Sequence, residues 1–335
     1  MNLFLEIFTN ANFYHSVLAV TPPILLAALG CAIAAKADMT NMGMEGIMAI
    51  SSLSGVMASV LLGQNHPWVE LVVAMIVGGI LGYLVAVFNL KLKVDIILVG
   101  IALNLIGGGG TAFFLYLLTG DRSTSNSFVS GTLPNIDIPL IKDIPFLGTV
   151  LSGQSILTYV SYILIAVLSF LLFKTKLGLR IRAVGENANA CESVGISSVK
   201  TRTIALVISG VLGGMGGAFM SSVYLSYFQR GCAAGRGFIA LAACSLGEAN
   251  PVPVALTSLL FGLFYALSNF ARSTGISSYV LNTWPYIVTI ISLVVYSISK
   301  ERKEKKRLAG LAEEDSNDNP GKVEEKGRQY FDTKK

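Results

Sequence analysis

The sequence predicts an all-α polytopic membrane protein, and three observations predict it. Of 335 residues, 53% are hydrophobic and only 13% charged, with a mean hydropathy of +0.65. Soluble domains carry roughly 25% charged residues. From Lys300 onward stand 11 Lys/Arg and 9 Asp/Glu, so the first 299 residues hold only 25 of the 45 charges. A soluble body that poor in charge would expose too much apolar surface to stay dispersed. Finally, apolar runs of about 20 residues, the length that crosses roughly 30 Å of hydrocarbon, recur along this body.

Those runs lie near 17–35, 47–63, 68–89, 94–118, 155–173, 203–228, 252–270 and 280–299. The segment 232–247 is apolar but short and broken by glycines, so it is either a short crossing or a re-entrant hairpin. Basic loops face the cytoplasm. Lys174, Lys176, Arg180, Arg182, Lys200 and Arg202 therefore put 174–202 inside, and Lys300 to Arg307 puts the start of the tail there too. Four crossings must fit between these loops, which favours counting 232–247 and gives about nine spans, with eight to ten allowed. Working back, Lys91 and Lys93 fall inside, 119–154 outside, Lys36 inside and the N-terminus outside. The chain thus divides into an N-terminal segment 1–16, a transmembrane domain 17–299 and a charged tail 300–335, expected to be disordered beyond its first turns. A cleavable signal peptide is not expected, because residues 1–16 lack a basic start.

Several chemistries are excluded. Cys31, Cys191, Cys232 and Cys244 are scattered, with no CxxC and no His pair, so neither a disulfide framework nor a zinc site is expected. His15 and His66 have no partner in sequence, and the basic clusters lack the interleaved aromatics of a nucleic-acid surface. The glycines at 107–110 lack a following Lys-Ser/Thr, so they are not a phosphate loop. Gly78/Gly82, Gly210/Gly214 and Gly213/Gly217 have the four-residue spacing of close helix packing. Asp38, Glu45, Asp95 and Glu248 fall near span ends, and no carboxylate is expected at mid-helix, which weighs against ion-coupled transport. Asn104 sits mid-span and either lines a pathway or makes an interhelical hydrogen bond. Two stretches, Lys36–Gly46 and Arg230–Ala240, are interrupted by glycines early in each half of the chain. Paired broken helices point to a substrate path in transporters built from repeats.

The cytoplasmic loop is the informative one. Asn187 suits the start of a short helix over Ala188–Val194, and Gly195 suits its C-terminal end. Its alternative is a plain solvated loop. The run Gly178-Leu-Arg-Ile-Arg-Ala-Val-Gly-Glu-Asn-Ala-Asn-Ala-Cys-Glu-Ser-Val-Gly-Ile196 resembles the loop of membrane subunits in the branched-chain amino acid, sugar and nucleoside ABC permease family. Ser209–Gly217, Gly235–Ala242, Gly247–Pro251, Leu259–Gly262 and Asn41–Gly46 extend the resemblance over roughly 30–300. The Asn-x-Gly-x-Glu-Gly form at 41–46 is most similar to the nucleoside type. Cys191-Glu192 and Ala233-Ala234 depart from the family pattern.

The resemblance implies one membrane subunit of an ATP-driven importer in a bacterial plasma membrane, with the large type II importer permease fold. Its implied partners are an ABC ATPase subunit, a second homologous permease, an external substrate-binding lipoprotein and the surrounding lipid. The chain would bind no cofactor itself, since it has no Walker motif, and the ATPase would use the ATP. Gly178, Arg180, Arg182, Gly185, Glu186, Asn187 and Gly195 would form the coupling element. Asn41, Glu45, Asn104 and Phe238 are the candidates for the solute path. A weakly charged lining suits a small neutral solute, a nucleoside first, with a sugar or branched-chain amino acid as alternatives. The competing class is a self-contained secondary transporter.

Overall fold

The computed structural model describes residues 10–271 apart from 64–65, 129 and 138–146, together with positions 287, 290, 291, 294 and 298. The tail 300–335 and most of the expected 280–299 span lie outside the described residues.

Helix α1 (Ala11–Lys36) is capped by Asn10, whose side chain accepts from Asn12 N at 2.9 Å. It runs through the middle of the bundle despite Pro22 and Pro23. Each proline removes an N–H, which frees the carbonyls of Leu18 and Ala19 four residues earlier. Two tyrosines from elsewhere take them up: Tyr162 Oη donates to Leu18 O at 3.3 Å and Tyr224 Oη to Ala19 O at 2.8 Å. In hydrocarbon no water could do so.

Six more helices are long and apolar enough to cross a membrane. α2 is Met44–Leu61. α3 (Pro67–Ala86) continues as a π turn, Val87–Lys91. α4 (Ile96–Leu105), a π turn at Ile106–Gly110 and α5 (Thr111–Thr119) form one span. After a short α6 (Leu147–Leu151) come α7 (Ile156–Lys174), α8 (Lys176–Glu186), α9 (Ala188–Ser193), and α10 (Ser198–Phe219) with its π extension Met220–Leu225. α11 (Arg236–Leu246) and α12 (Pro251–Ala271) follow. The only sheet among the described residues is a two-residue antiparallel pair, β1 (Asn135–Ile136) with β2 (Gln154–Ser155).

The glycine spacing read from the sequence does pack helices. Gly78 and Gly82 of α3 meet the backbone of Leu206, Gly210 and Gly214 on α10, so near that a methyl group at Gly78 would lie 2.9 Å from Gly214 Cα. Lipid supplies no hydrophobic drive for association, so such close backbone contact is what binds these two spans.

Segment 232–247 neither crosses as one helix nor re-enters. α11 has 11 residues, about 16 Å long, roughly half a crossing. The chain before it supplies the rest. Arg230 N bonds Ser123 O (2.8 Å) in the 119–154 loop, while past the helix Lys36 Nζ donates to Glu248 O at 3.2 Å. Residues 226–248 therefore pass from the loop end of the bundle to the end that bears Lys36, Arg202 and the α8–α9 segment. With the seven long helices this makes eight passages among the described residues; the fourth crossing that the basic loops call for after residue 202, the expected 280–299 span, lies mostly outside them.

Candidate functional site

The two glycine-interrupted stretches meet inside the bundle. After α1 the chain turns at Asp38 (φ 59°), and Arg202 holds that turn by donating to Ala37 O and pairing with Asp38 at 3.1 Å. α2 then begins inside the bundle, with Met44 packed against Gly30 and Gly213. Glu45, in its first turn, reaches the start of α11. Oε1 accepts from Gly235 N at 2.7 Å and Oε2 from Gly237 N at 2.8 Å. The first N–H groups of any helix lack internal partners and carry the positive end of its dipole. One carboxylate thus caps the half-helix of the second half from the broken helix of the first. Gly237 lies so near that a methyl there would sit 2.6 Å from Glu45 Cα, which leaves room for glycine alone.

Asn41 and Asn104 fix the same junction. Asn41 Nδ2 donates to Ser209 Oγ (3.0 Å) while its Oδ1 accepts from Gly43 N (3.2 Å). Asn104 Oδ1 accepts from Gly46 N (2.8 Å) and its Nδ2 donates to Met42 O (2.9 Å), the interhelical bond that is one of its two expected roles. All three side chains are therefore engaged with the broken backbone. Phe238 is different: it is 51% exposed, one residue past the capped N–H groups.

One residue escaped the sequence reading. Glu70, in the first turn of α3, is fully buried. Ser221 Oγ donates to its Oε1, and Ser52 Oγ donates to Ser221 Oγ at 2.9 Å, with Cys232 Sγ 3.8 Å from Ser52. Its other oxygen has no hydrogen-bond partner among the described residues. The group lies near a seam where the 119–154 loop pairs with the chain after α10: Leu133 N to Ser222 O (2.9 Å), Ser130 N to Ser226 O (2.9 Å) and Ser125 N to Phe228 O (2.8 Å). An acidic residue in a first turn reads as an ordinary helix-start preference, and Ser221 is 151 residues away. Only its serine partners would have marked it.

At the basic end, Thr175 caps α8 by accepting from Gly178 N at 3.2 Å. Gly178 lies on the backbone of Leu172, and Gly185 lies on the Lys36 carbonyl, so α8 abuts the ends of α7 and α1. Arg182 folds back with its guanidinium 5.1 Å over the Phe173 ring, whereas Arg180 is exposed. Asn187 caps α9 as expected, its Oδ1 accepting from Ala190 N at 3.0 Å, and Gly195 takes the left-handed conformation (φ 81°) that ends the element. Glu186 and Asn187 are exposed, and so are two apolar side chains, Leu179 (60%) and Val194 (73%).

Comparison with known proteins places this architecture. The chain is 32% identical to the nucleoside ABC transporter permease protein NupC of Lactococcus lactis over 84% of its own length and 90% of that protein. It is 32% identical to the guanosine ABC transporter permease protein NupQ of Bacillus subtilis, over 83% and 89%. A second nucleoside permease of the same Lactococcus strain, NupB, is 23% identical over 88% and 80%. Residues 13–296 match the family described as the permease component of the branched-chain amino acid transport system, and the chain belongs to that family.

Proposed function

We propose that this chain is one of two homologous permeases that form the path of an ATP-driven nucleoside importer, with residues 178–196 seated on the ATPase. As a family member it is the membrane-spanning permease subunit of an ABC transporter in a bacterial plasma membrane, and ATP hydrolysis belongs to a separate subunit. The solute and the pairing are our reading. NupC and NupQ support nucleosides, and the presence of NupB beside NupC in one organism supports a heteromeric pair. A substrate-binding lipoprotein would dock at the loop end. The transmembrane body would run over 17–299, with 300–335 as an appended tail.

The observation that carries the mechanism is the Glu45 junction with its two backbone N–H groups. A half-helix fixed at its inner end by one carboxylate moves with the helix that owns the carboxylate. α11 ends at Leu246, two residues before Glu248, whose carbonyl accepts from Lys36 Nζ, and the Lys36 carbonyl lies against Gly185 of α8. Motion imposed on α8–α9 by ATP binding would thus reach α1 and α11. Asn41, Glu45 and Asn104 would keep the wall of the path in register, and Phe238 would face the solute. Arg180, Glu186 and Asn187, with Leu179 and Val194, would form the surface seated on the ATPase, while Gly178, Gly185 and Gly195 set its shape. The test is Glu186→Lys in the assembled complex. Membrane insertion should persist and solute-stimulated ATP hydrolysis should be lost; unchanged stimulation would remove 178–196 from the coupling role.

A further inference from the structure

Arg236 is the one charged side chain at the Glu45 junction that the capping arrangement does not use. It occupies the first position of α11, where a cation opposes the helix dipole. Its guanidinium lies 5.0 Å over the ring of Tyr265, two-thirds of the way along the α12 span. Tyr224 stands close by, with Tyr162 beside it. Nη1 makes two long hydrogen bonds, to Cys232 O (3.3 Å) and Ala233 O (3.4 Å). Nε is buried without an acceptor, and Nη2 has none among the described residues. The Glu45 carboxylate lies near enough to act on this charge, but the two form no ion pair: both its oxygens already hold backbone N–H groups, and the one ion pair among the described residues is Arg202 with Asp38.

A guanidinium carries five N–H donors in a planar fork, so three of the five here are unmet. Leaving such donors unmet at membrane depth is costly, and an ionisable side chain retained there is a candidate for a solute path. Two adjacent donors, Nε–H and Nη2–H, form an edge that matches two adjacent acceptors on a flat solute. We propose that Arg236 is a specificity-determining residue of the path, and that its Nε–Nη2 edge selects solutes with paired acceptors, the oxo oxygen and ring nitrogen of a 6-oxopurine nucleoside. The same fork-to-edge pairing reads guanine in nucleic acids. An adenine edge, which replaces the oxygen with an amino donor, would set a donor against a donor. This inference rests on the nucleoside reading above.

The experiment measures initial uptake of labelled guanosine and adenosine, at solute well below saturation, by cells carrying the full transporter with wild-type Arg236, Arg236→Lys or Arg236→Gln. Equal complex assembly is checked by native gel. The expected result is a fall of about ten-fold in guanosine rate for Arg236→Gln, with adenosine within about two-fold and Arg236→Lys in between. An equal loss of both solutes in Arg236→Gln and Arg236→Lys would mark a structural role, and unchanged rates would also overturn the proposal. If the wild type moves neither nucleoside, the nucleoside reading itself falls, and this inference with it.

Discussion

Replacing Glu45 probes the junction most sharply, because its two oxygens do separate jobs. Each accepts one backbone N–H of the α11 start, at 2.7 and 2.8 Å. A hydrogen bond to a charged acceptor contributes roughly 1.5–3 kcal/mol, and a buried N–H left without a partner costs about 1–3 kcal/mol. Glutamine keeps one oxygen but turns an NH2 toward the other N–H, so Glu45→Gln should cost about 2 kcal/mol. Alanine loses both bonds and should cost about 4 kcal/mol. Asp should fall between, because its carboxylate is one methylene short while Gly237 already touches the Glu45 backbone and cannot move closer. Thermal unfolding of the detergent-purified complex reads this. At roughly 1.5 °C per kcal/mol for a chain of this size, Glu45→Gln should melt about 3 °C lower and Glu45→Ala about 6 °C lower, with uptake reduced in the same order. A Glu45→Ala complex that melts within a degree of wild type would refute the claim that this carboxylate holds α11.

The two kinds of glycine should separate cleanly. Gly210→Ala drives a methyl into the Gly78 backbone and should destabilise the α3–α10 pair by about 1–3 kcal/mol, whereas Gly108→Ala and Gly109→Ala meet nothing within 4 Å and should match or exceed wild-type stability by melting assay. Glu70→Gln preserves an acceptor for the Ser221 hydroxyl and, with no basic side chain paired to Glu70 among the described residues, should leave stability within about 1 kcal/mol; Glu70→Ala strands that hydroxyl and opens a cavity, for a loss of about 2–4 kcal/mol in the same assay. A Glu70→Gln variant as damaged as Glu70→Ala would mean that the charge at this position is required.

The spans were legible because hydrophobic length is a local property. The expected 68–89 and 252–270 match α3 with its π turn and α12 to within a few residues. Asn187 and Gly195 were equally local signals and both hold. α8 was not legible. Gly178 and Gly185 lower its intrinsic helicity, and the reason they are glycines is the neighbouring backbone of Leu172 and Lys36, which no local pattern encodes. The parallel between the two interrupted stretches could be seen in the sequence as position alone. That Glu45 joins them depends on groups some 190 residues apart, and that Tyr162 and Tyr224 serve the carbonyls freed by Pro22 and Pro23 is likewise a tertiary fact.

The central claim, ATP-driven solute import through this subunit, is tested most directly by uptake of labelled nucleosides in cells with and without the chain, repeated with a partner ATPase whose Walker lysine is replaced. The account predicts that uptake is lost in both the deletion and the ATPase-dead strain. Uptake that requires this chain but survives the dead ATPase would contradict it and return the protein to the secondary transporters.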